Sequence, residues 1–281
     1  MDGRTTKYAG KKALVMGDSL TKAGIWQKKL TELLGFEVAM QARGGSGFIS
    51  IVDGDPEGFV HIDPPMHRLG PDDVRDVDLI VYFAGYNCRE MPYGEDGDLY
   101  PAQKTVRGCV QYVIDRIYQE LEAANNLTCK LLFVTPHCHG LYSWRDWDGY
   151  AEAPVKGMST RKLGEVISEV CRKNSIPVCD LWTESGINRY NWHVFGRQPF
   201  TENHQYTKYE LDENGNAIGT EPLKYERGKS YIQIRDGKPT LELYEGGAPF
   251  PYIADQLHCS PAGYDRIGEC IVGSVIKHYG I

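Results

Sequence analysis

The sequence contains no apolar run approaching the ~18–20 residues that a membrane span requires. Its first residues, Met1-Asp2-Gly3-Arg4-Thr5-Thr6-Lys7, hold no apolar core of the secretory-signal kind. The expectations are no membrane span and a cytoplasmic location, or a secreted or periplasmic one if a leader has been removed. A basic stripe is also lacking: 31 Lys and Arg are interspersed with 38 Asp and Glu, for a net charge of −7. A nucleic-acid partner therefore has no electrostatic footprint. Eight cysteines (88, 109, 129, 138, 171, 179, 259 and 270) include no CxxC pair. Neither a disulfide framework nor a metal site is expected from such spacing, and reduced thiols are the default. No internal repeat or low-complexity tract is present.

What remains is a globular composition, 41% hydrophobic and 25% charged, in a chain of 281 residues. That length buries one substantial core and leaves room for an appendage. Short apolar runs alternate with amphipathic stretches. Ala13-Leu14-Val15-Met16, Phe36–Met40, Asp78–Phe83, Lys130–Val134 and Pro177–Leu181 read as five strands. Helices are expected over Trp26–Leu34 with Gly35 as the stop, over about 101–124, over Thr160–Lys173 and over Gly263–Tyr279. Strand alternating with helix implies a parallel sheet covered on both faces, because parallel crossovers need helix-length connections. The expected fold is an α/β three-layer sandwich with a mainly parallel, flavodoxin-like five-stranded sheet.

Residues 183–253 break the alternation. They are polar and carry Asn214-Gly215 and Asp236-Gly237, both hairpin turn signals. We read 1–281 as one domain, with 183–253 as a β-rich insertion placed before the last helix.

In a doubly wound sheet, sites lie outside the C-terminal ends of the strands, and four motifs fall at such ends. Gly17-Asp18-Ser19-Leu20 follows the first strand directly. Taken alone it suits either an ordinary turn or N-cap, or a serine nucleophile beside backbone N–H groups that can stabilise an oxyanion. Arg43-Gly44-Gly45-Ser46-Gly47 follows the second strand, where glycine allows the backbone close to a ligand. The run lacks the Gly-Lys-Ser/Thr ending of a phosphate loop and the dinucleotide glycine spacing, which argues against a nucleotide. Gly85-Tyr86-Asn87 follows the third strand and offers a side-chain amide donor. Asp255-Gln256-Leu257-His258 comes just before the last helix, with Ser260 as N-cap and Pro261 as first helical residue. A carboxylate three residues before a histidine can hold its tautomer and stabilise the imidazolium.

In this order, and with each motif at a strand end, the set resembles the SGNH/GDSL hydrolase family over roughly residues 12–182 and 254–280. The resemblance implies that Ser19 is the nucleophile, His258 the general base and Asp255 its orienting carboxylate. It implies an oxyanion hole formed by the Ser19 backbone N–H, the Gly47 backbone N–H (Gly45 being the second choice) and the Asn87 side chain, and no metal or organic cofactor. Two positions depart from the family pattern. Cys88 stands where an aspartate usually follows the block-three asparagine, and Ala42 stands where the second block usually opens on asparagine. The Gly-x-Ser-x-Gly elbow of α/β-hydrolases is absent around Ser19.

Pro136-His137-Cys138-His139 invites a metal reading, but histidines at i, i+2 on an extended segment point to opposite faces. His137 is instead placed in the pocket lining. Trp144 and Trp147, in the loop after the fourth strand, suit stacking against sugar rings, or equally packing of the insertion. The reading is an esterase that removes small acyl groups, acetyl above all, from a small-molecule or glycan ester. The alternatives are a lipid-directed acylhydrolase, such as a lysophospholipase or thioesterase, and a non-catalytic glycan-binding module that kept the fold.

Overall fold

The computed structural model describes residues 6–54, 68–88, 91–139, 159–188, 191–196 and 257–280, together with the short strands between 200 and 249. The chain divides into two compact units. The first comprises Met1–His137, Arg161–Gly186 and Asp265–Ile281, and the second Cys138–Thr160 and Ile187–Tyr264.

The first unit is built on β1 (Lys12–Gly17), β2 (Glu37–Ala42), β3 (Leu79–Phe83), β4 (Lys130–Val134) and β5 (Val178–Cys179). They form one sheet in the order β2-β1-β3-β4-β5, every pair parallel. This is the five-stranded, three-layer arrangement that the alternation predicts. The apolar runs are buried as strands covered on both faces must be: all of β3, and β1 from Ala13 on. β2, at the sheet edge, has no buried residue.

Around the sheet lie α1 (Ser19–Lys22), α2 (Phe48–Val52), α3 (Pro71–Val74), α4 (Val106–Ala123), α5 (Thr160–Lys173) and α6 (Leu181–Glu184). The second unit holds α7 (Trp192–Phe195), and α8 (Pro261–Tyr279) closes the chain, its residues from Asp265 on belonging to the first unit. α5 buries Leu163, Val166, Ile167, Val170 and Cys171, one face at helical spacing. Each such side chain contributes roughly 1.5–3 kcal/mol of transfer free energy before its ordering entropy is subtracted.

Several boundaries differ from the sequence reading, for local reasons. The stretch from Trp26 does not enter a helix at once. Lys28, Lys29 and Leu30 donate to carbonyls three residues back, and helix begins only at Lys28, passing into a π-turn at Leu30–Leu34. Gly35 then ends it in the left-handed conformation, φ 82°. The buried face of Trp26, Leu30 and Leu34 is kept all the same. α8 runs directly over this turn, since a Cβ at Gly268 would lie 2.4 Å from the Trp26 carbonyl oxygen. α4 starts at Val106, because the Thr105 hydroxyl caps it by accepting from Gly108 N at 3.1 Å. β5 stops at Cys179. Asp180 leaves the strand to cap α6, accepting from Trp182 N at 3.2 Å and from the Thr183 hydroxyl at 2.7 Å.

In the second unit, short strands pair antiparallel: β6 (Phe200–Thr201) with β7 (His204–Gln205), and β8 (Thr207–Leu211) with β9 (Ala217–Pro222). Further on, β10 (Ile234–Arg235) pairs with β11 (Lys238–Pro239), and β12 (Tyr244–Glu245) with β13 (Ala248–Pro249). The pairing across Asp236-Gly237 is shorter than the flanking runs Tyr231–Ile234 and Thr240–Leu243 suggest. The turn residues Asn214-Gly215 and Asp236-Gly237 lie outside the described residues.

Candidate active site

The register aligns the strand ends: Gly17 of β1 stands opposite Ala42 of β2 and Phe83 of β3. The loops carrying Ser19, Gly44–Gly47 and Asn87 therefore leave the sheet side by side. β1 and β3 are adjacent although β2 lies between them in sequence, so the chain reverses its winding there. Ligand sites of open α/β sheets form in the crevice at that reversal.

The Ser19 turn is tightly built. A Cβ at Gly17 would lie 2.2 Å from Thr21 Oγ1 and 2.4 Å from the Phe83 carbonyl oxygen, so only glycine fits at the last position of β1. Asp18 is fully buried and caps α1, with Oδ1 accepting from Leu20 N at 3.0 Å. Ser19 is the first helical residue and is half-buried. Backbone N–H groups in a helix's first turn have no carbonyl partner within the helix, which makes that end electropositive.

The loop after β2 continues the pairing by one bond, Arg43 N to Gly17 O at 3.0 Å. It then turns at Gly45, φ +81°, with Ser46 N donating to Arg43 O. Gly47 is the N-cap of α2. Gly44 passes beside Ser19: a Cβ there would be 3.8 Å from Ser19 Cβ. From β3, Gly85 (φ +135°) redirects the chain, and Cys88 N closes a turn onto Gly85 O at 3.1 Å.

Asn87 ties the three loops together. Its Nδ2 donates to Ser46 O at 3.1 Å and reaches Asp18 Oδ2 at 3.4 Å. Cys88, which replaces the usual aspartate, is buried, and a Cβ on Gly47 would stand 3.5 Å from its Sγ. The thiol thus fills space beside the second loop. Below it, Tyr82 donates to Phe48 O at 2.7 Å; burial, reinforced by Cys88 and Asp18 nearby, holds its phenol far above the ordinary value. Sequence reasoning singled out Ser19 and Asn87 but missed Asp18 and Ser46 as the groups that lace them. The Asp18 cap was legible in the Asp-Ser pair; the Ser46 carbonyl left no sequence signal.

His137, expected in the pocket lining, is fully buried. Its carbonyl accepts from the Tyr86 hydroxyl at 2.9 Å, and the two rings lie 5.4 Å apart. Trp144, Trp147 and Asp255 fall outside the described residues.

His258 lies in the second unit and is half-buried between buried Leu257 and Cys259. Cys259 forms an antiparallel bridge to Gly196, and Ser260 N donates to Phe195 O at 2.8 Å. The Ser260 hydroxyl accepts from Gly263 N at 3.2 Å, capping α8 with Pro261 as its first residue. A Cβ at Gly263 would meet Phe195 O at 2.2 Å. The histidine is therefore carried on a turn fixed both to α7 and to the start of α8.

A serine heading the first helix at the winding reversal of a parallel five-stranded sheet defines an α/β fold with a strand-end site. No protein-family model and no curated protein matches the chain. Solved structures do match it. A possible lipase from Chitinophaga pinensis is 17% identical with a TM-score of 0.56, over 96% of this chain and 99% of that one. A protein from Lactobacillus plantarum is 14% identical with a TM-score of 0.56, over 96% and 99%. A lipase/acylhydrolase from Enterococcus faecalis is a looser likeness, 16% identical with a TM-score of 0.46, over 94% and 95%. The chain shares the fold of the first two of these structures.

Proposed function

We propose that this protein is a serine esterase acting through an acyl-enzyme. The observation that carries the reading is the lacing of three strand-end loops by Asn87, which sets a side-chain amide beside the Ser19 turn. In this reading His258 takes the Ser19 hydroxyl proton as Oγ attacks the ester carbonyl, and Asp255 orients the imidazole. The tetrahedral oxyanion is held by the backbone N–H groups of Ser19 and Gly47 and by Asn87 Nδ2, which now reaches Asp18 Oδ2 at 3.4 Å and turns that N–H to the oxyanion. Gly47 is preferred to Gly45 because Gly45 supplies the left-handed turn residue, whereas Gly47 opens α2 next to Cys88. Collapse of the intermediate breaks the bond to the alcohol, which leaves with the proton from His258. Water, deprotonated by the same histidine, then releases the acid and restores Ser19.

The substrate reading is a small acyl group, acetyl above all, on a carbohydrate. Trp144 and Trp147, which follow β4 in sequence, are proposed to supply aromatic faces for a sugar ring, with His137 as a further pocket residue. Hydrolysis of p-nitrophenyl acetate tests the esterase: it is expected to be abolished in Ser19→Ala, and undiminished activity in that variant would sink the assignment. Acetate release from a panel of acetylated glycans tests the alcohol. Comparable rates on acetyl and octanoyl esters would favour a lipid-directed acylhydrolase, and absence of both activity and fluorophosphonate labelling would favour a binding module.

A further inference from the structure

At the β5 edge of the sheet, two strands away from β3, three groups from three elements of the first unit converge. They are Cys179 at the end of β5, Glu184 at the end of α6 and Cys270 on α8; their two sulfurs and a carboxylate oxygen all lie within 4.8 Å of one another. We propose that Cys179, Cys270 and Glu184 form a binding site for a thiophilic divalent cation of the zinc class, with water completing a tetrahedral set.

Geometry supports the assignment first. The Cys179 thiol donates to Cys270 Sγ at 4.0 Å. Two thiolates bound tetrahedrally at about 2.3 Å stand about 3.8 Å apart, so the sulfurs need move little. Glu184 is exposed, and a small rotation brings its oxygen into the shell.

The surroundings of the carboxylate fit a ligand. The Ser274 hydroxyl donates to Oε2 at 3.3 Å, and Lys277 Nζ donates to Oε1 at 3.4 Å. Partners of this kind orient a metal-binding carboxylate. Lys277 also offsets the surplus charge when two thiolates and one carboxylate surround a divalent ion. Arg266 adds positive potential near Cys270, and Asp180 opposes it.

The same carboxylate argues against a thiol pair built for disulfide exchange. Exchange needs a thiolate, and a carboxylate oxygen within 4.8 Å of both sulfurs opposes negative charge on either. A cation reverses the sign of that effect by making the carboxylate a ligand. Cys270 is half-buried and Cys179 fully buried, so an ion enters from the Cys270 side. On binding, each thiol releases one proton to solvent.

The test uses the full chain, reduced and freed of metal with a chelator, and titrated with cadmium chloride. The expected result is one equivalent bound with thiolate-to-cadmium ultraviolet absorption. Cys270→Ser is expected to abolish the absorption, and Glu184→Gln to weaken binding by ~10-fold or more. In the unmodified chain, which avoids any folding defect of the variants, one equivalent of zinc should protect Cys270 from iodoacetamide as read by mass spectrometry. Equal cadmium absorption in Cys270→Ser, or alkylation of Cys270 unaffected by zinc, would overturn the site. So would a Cys179–Cys270 disulfide formed in air by a protein that binds no cadmium when reduced.

Discussion

Asn87 Nδ2 stands 3.4 Å from Asp18 Oδ2, which joins the loop after β3 to the residue before the proposed nucleophile. Because Asp18 also caps α1, one buried carboxylate fixes both the serine turn and the amide facing it. Asn87→Ala is expected to lower kcat by ~10²–10³ with a smaller effect on KM, the loss typical of one oxyanion donor. Steady-state kinetics on an acetyl ester measure it, and a variant with wild-type kcat would remove Asn87 from the oxyanion set.

Gly17→Ala places a methyl against the Phe83 backbone oxygen, which cannot rotate away. The expected cost is about 1–3 kcal/mol, the range for overpacking a dense interior. Urea unfolding should show a lower midpoint at unchanged slope. A midpoint equal to that of the parent would mean that β1 and β3 can separate freely at this end.

Ser260→Ala removes the α8 cap and the hydroxyl contact with Phe195 O at 3.2 Å. Thermal unfolding should register about 1 kcal/mol of lost stability. Activity should fall by more than stability explains, because the turn bearing His258 loses an anchor. Full activity at temperatures well below the transition would show that the turn holds without it.

Asp78 gives a pH prediction with a definite sign. Burial pushes its carboxyl up, but the hydrogen bonds from Lys11 Nζ and Lys12 N and the charges of Lys11 and Lys130 outweigh burial and hold it below the usual carboxylate range. A depressed folded-state value means that the ionised form stabilises the fold above the unfolded pKa of about 4, and that this contribution is lost as pH falls through the folded value. Asp78→Asn should therefore be less stable than the parent at neutral pH, with the gap closing below about pH 4. A gap that widened on acidification would reverse the assignment.

The sheet was legible because its strands are apolar runs bounded by turn residues, and Ala13–Met16 and Leu79–Phe83 occupy its buried centre. α6 was not, since Leu181–Glu184 is a single turn and its start depends on the Asp180 side chain leaving the strand direction. The Trp26 stretch had helical spacing, yet the passage of Gly268 over Trp26 O, a contact far away in sequence, goes with a tight turn there. Within the site, Ser19 and Asn87 could be named from motifs, whereas the bonds that Asp18 and Ser46 make to Asn87 required the fold. The Cys179–Glu184–Cys270 cluster was invisible for the same reason: its residues share no spacing, only neighbouring elements.

Ser19 follows the strand that has a neighbour on each side, with Gly17 paired to β2 and to β3 at once. Local opening of the Ser19 turn is thereby coupled to two ladders of the sheet at once. Amide hydrogen exchange at Leu20 and Thr21 should proceed only through the global unfolding of the first unit. In partial denaturant, the geometry of the serine turn should then persist as long as the sheet does.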